Sequence, residues 1–301
     1  MAKIAVELER ALSMRAAGGG PGGTSARFLA EGEGWSVTDV ICTSGPQDRP
    51  FEESHSEVRI ALVAAGTFQY RAQLPGAAGT VLMTPGSFLL GGAGQCFECT
   101  HEHGAGDRCV SFGYAPEYFE RIAADAGISP PKHGFGILRL PPLRTLARVV
   151  AQACAGVASS DATTSSWEEL SLHLAIATLR QLNGVAARVS DPPPGSLARV
   201  TRSIRAIERG LDSETTLGTL SKEAGLSRYH FLRTFELLTG LTPHQYLLRA
   251  RLREAAMRLT VERTKVIDIA LDCGFGDVSN FNRAFRTEFG VNPRAYRAQP
   301  L

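Results

Sequence analysis

No apolar run in the 301 residues approaches the roughly 18–20 residues that a membrane-crossing helix needs, so no membrane partner is expected. The opening residues, Met1 to Arg10, carry charges where a secretion signal needs its apolar core. Cysteine is scarce, and six thiols in a chain of 32.2 kDa do not make a disulfide scaffold. These absences together lead us to expect a reducing, cytoplasmic setting. An excess of one charge sign is also missing: 32 Lys+Arg against 30 Asp+Glu leave a net +2, which taken alone argues against a polyanionic partner. Hydrophobic and charged fractions of 44% and 21% are ordinary for globular proteins. They exclude a mostly disordered chain, a collagen-like repeat and a coiled-coil rod.

The near-zero charge conceals a division at the run Pro192-Pro193-Pro194. Residues 196–301 hold 17 Lys+Arg against 11 Asp+Glu, a net +6, and residues 1–195 hold 15 against 19, a net −4. Only the second part is expected to meet a polyanion. Residues 1–27 read as a flexible segment, because the glycine-rich stretch 16–23 resists helix and strand alike. Residues 28–140 carry short apolar stretches of strand composition, such as 58–63, 67–71 and 80–83, punctuated by glycine and proline. Many short strands of this kind predict a β-sandwich or small barrel. Residues 141–190 read as a helical hairpin whose second helix opens on a capping-box pattern at Ser166. Its broad apolar set, Leu170, Leu172, Leu174, Ile176, Leu179 and Leu182, leaves a surplus beyond one packing stripe, which makes the hairpin a candidate homodimer contact. Residues 191–195 read as a stiff proline linker.

The basic part contains an internal repeat. Phe231, Phe235, Gly240, Pro243 and Tyr246 recur as Phe281, Phe285, Gly290, Pro293 and Tyr296, every member displaced by 50 residues. Phenylalanines at i and i+4 share the buried face of a helix. Gly240 and Gly290 end those helices, and Thr242-Pro243 and Asn292-Pro293 supply an N-cap and a first-turn proline for the next ones. A short helix and a glycine turn precede each phenylalanine pair, which completes a helix-turn-helix pattern in each copy. A helix over 243–260 would span roughly 27 Å, comparable with the recurrence of major-groove faces at about 34 Å. Facing outward are Arg228, Tyr229, Leu232 and Arg233 in the first copy, and Val278, Ser279, Asn282, Arg283 and Arg286 in the second.

Gly274-Phe275, Ser279-x-Phe281-x-Arg283-x-Phe285 and Gly290-Val291-Asn292-Pro293-x-x-Tyr296-Arg297 resemble the second helix-turn-helix signature of the AraC/XylS family of transcription regulators. The resemblance covers residues 196–301. It implies an α+β two-domain protein: a cupin-like β-barrel sensor with a helical hairpin, then an all-α DNA-binding part of the seven-helix, tandem helix-turn-helix type. It also implies promoter DNA as partner, an effector sensed by the barrel, RNA polymerase as partner of an activator, and no enzymatic activity. Expected base contacts are Tyr229, Arg233, Ser279, Asn282 and Arg283, since arginine meets guanine O6 and N7 with two donors and asparagine can read adenine. Arg228, Arg286 and Arg294 are expected at phosphates.

In the first part, residues 79–86 are similar to the turn motif of cupin barrels, and His55 sits where such domains often carry a ligand histidine. Ser87, Phe88 and Leu89 stand where metal-binding cupins hold further ligands, which counts against cupin metal chemistry and against an enzyme. His55 is retained as a candidate effector contact. The segment Cys96-x2-Cys99-x-His101-x-His103, followed by Cys109, has thiolate and imidazole groups at a spacing suited to zinc or another thiophilic metal. In an extended chain Cys99, His101 and His103 would share a face and Cys96 would lie opposite. The alternatives are an inert strand, a thiol-based sensor, or a cupin-like metal- or thiol-dependent enzyme fused to a DNA-binding part. Isolated His133 and His173 read as surface or packing residues.

Overall fold

The computed structural model describes residues 2–74, 77–128, 135–158, 162–182, 194–211 and 215–298. The first half runs α1 (Ala2–Gly18), β1 (Thr24–Gly32), β2 (Trp35–Cys42), β3 (Phe51–Ser54), β4 (Val58–Gly66), β5 (Phe68–Leu74), β6 (Ala77–Met83), β7 (Phe88–Gly91), β8 (Cys96–Thr100), β9 (Asp107–Tyr114), α2 (Pro116–Asp125), β10 (Arg139–Leu140), α3 (Ala147–Ala158) and α4 (Thr164–Leu182). The second half is helical: α5 (Ser196–Arg209), α6 (Leu217–Glu223), α7 (Arg228–Thr239), α8 (Pro243–Val261), α9 (Val266–Asp272), α10 (Val278–Phe289) and α11 (Pro293–Arg297).

The strands form a six-stranded sheet, β1-β2-β9-β4-β7-β10, and a four-stranded sheet, β3-β8-β5-β6. No strand is shared between them, so the β-barrel expected from the sequence is two facing sheets rather than one closed cylinder. Period-two alternation sorts the larger sheet into two chemistries. Ile60, Leu62, Val110, Phe112 and Tyr114 face the helices α1–α4 and form the principal core. Ala61, Val63 and Cys109 face the other way, into a core shared with Phe68, Tyr70, Met83 and Cys99 of the smaller sheet.

Residues 2–18 are helical, not the flexible segment expected from the glycine run. Ile4 and Leu8, one helical turn apart, are buried against the larger sheet, and the helix ends only where the glycines begin. Arg108 fixes the attachment from below. Its Nη1 donates to the Ile4 carbonyl at 3.2 Å, it pairs with Glu7, and it makes two bonds of 2.8 Å to Asp39. Burial alone would raise the Asp39 carboxyl. The hydrogen bonds and charges of Arg108 and Arg27 outweigh burial and hold it below its usual value.

The helical hairpin also differs from expectation. Helix α4 begins two residues before Ser166, whose amide instead donates to Thr163 Oγ1 at 3.2 Å. Leu170, Leu174 and Leu179 are buried in the principal core, and Leu172, Ile176 and Leu182 pack partly buried against it. The apolar set therefore serves the chain's own core, with Leu172, Ile176 and Leu182 still partly exposed. His173, on the same helix, is exposed. Residues 191–193 of the expected linker and His133 lie outside the described residues.

The helical half docks on one end of the β-rich half. Leu82 of β6 joins the apolar cluster of Val200, Ile204, Phe231 and Phe235. Half-buried Arg139 donates to the carbonyls of Leu82 and Leu238. The Pro85-Gly86 turn between β6 and β7 abuts α8, where Arg253 Nη2 donates to Glu208 Oε1 at 2.8 Å and the Tyr246 hydroxyl donates to the same oxygen at 2.9 Å. Arg205 of α5 donates to Thr67 Oγ1 and to the Ala105 carbonyl at 3.1 and 3.3 Å.

Candidate functional site

Each half of the sequence repeat folds as a short helix, a turn and a longer helix: α6 with α7, and α9 with α10. The starts of the longer helices are set by side-chain caps. Ser227 Oγ accepts from the His230 amide at 3.3 Å and Asp277 Oδ1 accepts from the Asn280 amide at 2.7 Å. Their ends are Gly240 and Gly290, both left-handed with φ of 79° and 78°. Thr242 and Asn292 then cap the following helices, with Pro243 and Pro293 in the first turn. Phe231, Phe235, Phe281 and Phe285 have no solvent exposure, which locks the inner face and leaves the opposite face to solvent.

The two glycines make a graded prediction. A Cβ on Gly290 meets nothing within 4 Å, whereas one on Gly240 would stand 2.7 Å from Pro141 Cβ. Gly290→Ala is expected to cost about 1–2 kcal/mol from left-handed backbone strain alone. Gly240→Ala is expected to cost more and to disturb the seat of α7 on the β-rich half. Thermal unfolding of the two variants side by side checks the order.

The outer faces carry the residues expected at DNA. Arg228 and Arg233 of α7 are exposed, and so are Ser279, Asn282, Arg283 and Arg286 of α10 and Arg294 of α11. The Arg228 guanidinium turns back over Gly218 of α6, toward the flank of the helix pair. Leu232 is half-buried, and the Tyr229 side chain lies outside what is described. Around α10 a broad groove brings Asn282, Arg283, Arg286 and Arg294 together with Lys265 and Arg297. Lys265 and Arg297 were not among the sequence candidates. Lys265 precedes α9 and reaches the groove only because the turn folds α9 beside α10, while Arg297 is anchored by a 2.6 Å bond to the Thr264 carbonyl. Arg283 Nη2 donates to Asn280 Oδ1 at 3.1 Å, which steadies its guanidinium on the exposed face.

Between the two sheets lies a cavity of about 460 Å³. His55 lines it, stacked on Phe97 with ring centroids 4.2 Å apart and bonded to the Tyr70 hydroxyl at 2.9 Å. Burial, reinforced by the Arg59 charge, pulls the His55 imidazole down to about 4, so it is neutral near pH 7.

The thiol and imidazole candidates divide. Cys99, His101 and Cys109 are buried, while Cys96 and His103 are exposed. Alternation along β8 turns Cys96 outward, and the chain bends after His101, carrying His103 to solvent beside Glu102. In place of those two, the fold brings Cys42 and Asp107 to His101. One ligand atom from each of the three lies within 4.8 Å of the others. His101 Nε2 donates to Asp107 Oδ1 at 2.7 Å, and Cys109 Sγ donates to Asp107 Oδ2 at 3.3 Å. Burial lowers the affinity of His101 for its proton, but the bonds to Asp107 and Cys42 outweigh it and raise the imidazole to about 9. Burial pushes the Cys99 and Cys109 thiols up.

Comparison with known proteins places the second half. A helix-turn-helix domain family matches residues 220–299. The chain is 39% identical over 92 residues to the probable transcriptional regulator LumQ of Photobacterium leiognathi, a match covering 30% of this chain and 37% of that protein. It is 32% identical over 94 residues to the regulatory protein SoxS of Salmonella typhimurium, covering 31% of this chain and 88% of SoxS. Similarity to the HTH-type transcriptional activator RhaS of Klebsiella pneumoniae is 26% identity over 266 residues, 84% of this chain and 89% of RhaS.

Proposed function

Because the chain belongs to the AraC/XylS family of DNA-binding transcription regulators, we propose that α7 and α10 enter successive major grooves on one face of a promoter duplex. Residues 196–301 act in this reading as the DNA-binding domain and residues 28–140 as the effector sensor. Arg233 and Arg283 read guanine edges, Asn282 reads adenine, and Tyr229 and Ser279 complete the base-facing set. Arg228, Arg286 and Arg294 hold phosphates. The observation that carries the reading is the repeat itself: two capped helices, each with a sealed phenylalanine face and an exposed arginine two positions after its first phenylalanine. Because the two copies differ in their outward residues, one chain reads an asymmetric site.

An effector seated between the sheets, in contact with His55, would bias the placement of the two helix-turn-helix units by population shift. The route runs through the docked interface, where Arg139 donates to carbonyls of both halves and Arg205 of α5 reaches across to Thr67 Oγ1 and the Ala105 carbonyl. RNA polymerase at an activated promoter and a second copy of the chain at paired sites complete the partners of the reading. Its setting is the cytoplasm, and catalysis has no part in it.

Footprinting with the purified full-length protein tests this. A protected, asymmetric site spanning two adjacent major grooves is expected, and only weak, sequence-indifferent binding would overturn the reading. On the mapped site, Arg286→Ala should weaken binding about equally on cognate and scrambled duplexes. It should also reduce the slope of log affinity against log salt by about one. An unchanged slope would remove Arg286 from the phosphate set.

A further inference from the structure

The buried polar cluster at the end of the cavity is unused by the DNA-binding reading, and its donors converge from separate elements. Cys42 is the last residue of β2 and stands directly across from Asp107, the first of β9, in the antiparallel register. Cys109 follows Asp107 by two positions and therefore shares its face. His101 arrives from the opposite sheet, just past the end of β8. The result is a thiol, an imidazole and a carboxylate within 4.8 Å of one another, with a second thiol touching the carboxylate. Ligand atoms bonded to a tetrahedral ion at about 2.0–2.3 Å stand about 3.3–3.8 Å apart, so small side-chain rotations that part His101 Nε2 and Asp107 Oδ1 from their 2.7 Å contact bring this set to bonding distance. Cys42, Asp107 and Cys109 all line the cavity, which supplies the entry path.

We propose that Cys42, His101 and Asp107, with Cys109 as fourth ligand, bind a thiophilic divalent d10 cation of the zinc and cadmium type. Binding displaces the proton of each thiol and the Nε2 proton of His101 to solvent, and the ion's two positive charges offset two of the three negative charges of the thiolates and the carboxylate, leaving a net −1 at the site. No ligand exchange with the cupin positions is involved, since His55 is held by Tyr70 and Phe97 away from this set.

The location makes the ion a signal for the DNA-binding half, an extension that rests on the regulator reading above. His101 and Asp107 bracket a short loop. Its Ala105 carbonyl accepts from Arg205 Nη2 of α5 at 3.3 Å, and Gly104 lies so close beneath the guanidinium that a Cβ there would be 2.1 Å from Arg205 Cζ. Replacing the 2.7 Å bond between the two ends of that loop with coordination to one ion parts those ends and displaces the surface on which α5 rests.

The test uses the full-length protein, stripped of metal and titrated with Zn²⁺, then with Cd²⁺ as a spectroscopic probe. One ion per chain is expected by elemental analysis, with a thiolate-to-Cd²⁺ charge-transfer band in the ultraviolet. Removing a direct ligand should cost at least the roughly 10–100-fold typical of outer-shell changes, so Cys42→Ser and His101→Gln should each lose 100-fold or more in affinity, by that measure. Cys96→Ser and His103→Gln should bind as the unaltered protein does. Failure of the unaltered protein to bind at one ion per chain overturns the site irrespective of how the variants fold. So does undiminished binding in folded Cys42→Ser and His101→Gln, or loss in Cys96→Ser. Zn²⁺ should also shift affinity for the footprinted duplex, and Arg205→Ala should abolish the shift while keeping the ion. A metal-free protein that binds its duplex but takes up no ion overturns the site alone. A protein that takes up the ion yet binds no duplex overturns the regulator reading alone.

Discussion

Replacing Arg108 with methionine is expected to destabilise the β-rich half by about 3–5 kcal/mol, the largest stability effect of any substitution considered. Arg108 and Asp39 are 1% and 4% exposed, and the two 2.8 Å bonds between them are the main compensation for burying either charge. Truncating the arginine leaves the carboxylate buried, with the largely exposed Arg27 as its remaining ion-pair partner among the described residues. It also releases the Ile4 carbonyl and Glu7, so α1 should detach in the same variant. The double variant Asp39→Leu/Arg108→Met removes both charges and should recover part of the loss. Denaturant unfolding of the single and double variants measures the coupling, and equal stabilities of Arg108→Met and the unaltered protein would refute the assignment. The pH dependence has a definite sign. Asp39 is held below its unfolded value, so the pair's contribution is present above the ordinary aspartate range of about 4 and is lost as pH falls through the depressed native value.

The second large effect concerns recognition. Arg233→Ala and Arg283→Ala should each cost about 1–3 kcal/mol of specific binding. The two lie on different helix-turn-helix units, so their losses should add to about 2–6 kcal/mol in the double variant. Each single variant should relax sequence preference at one position of the footprinted site and leave binding to scrambled duplex nearly unchanged, because a base contact carries discrimination that a phosphate contact lacks. Competition gel shifts with single-base substitutions in the site separate the two cases. Full cognate affinity in the double variant would remove both arginines from the base-reading set.

How much was legible differs between the halves. In the repeat, the caps at Thr242 and Asn292, the left-handed glycines and the phenylalanine pairs are all local features spanning one or two helical turns. Each appears in the structure at the residue the spacing indicated. The α1 helix is equally local: Ile4 and Leu8 recur at i and i+4, although the neighbouring glycine run points to a flexible segment. The helices of the hairpin are legible in its periodicity, but assigning its apolar surplus to a second subunit or to the same chain requires the packing of β1, β2 and α2 on α4. Along the chain the cysteine segment is a linear ligand series. Two of its members were separated from the rest by β-sheet alternation and by the bend after His101.

The sequence by itself determined the tandem helix-turn-helix and its helix boundaries within a turn, and its charge division gave the expectation that a polyanion meets residues 196–301. Those properties depend on helix periodicity, capping and glycine conformation, which act between residues a few positions apart. Tertiary structure alone decided the pairing of Cys42 with Asp107, the seating of Arg205 on the loop between His101 and Asp107, and the Arg108–Asp39 anchor beneath α1. Strand register and sheet stacking set these contacts. Both depend on the burial of whole faces, and no spacing along the chain encodes them.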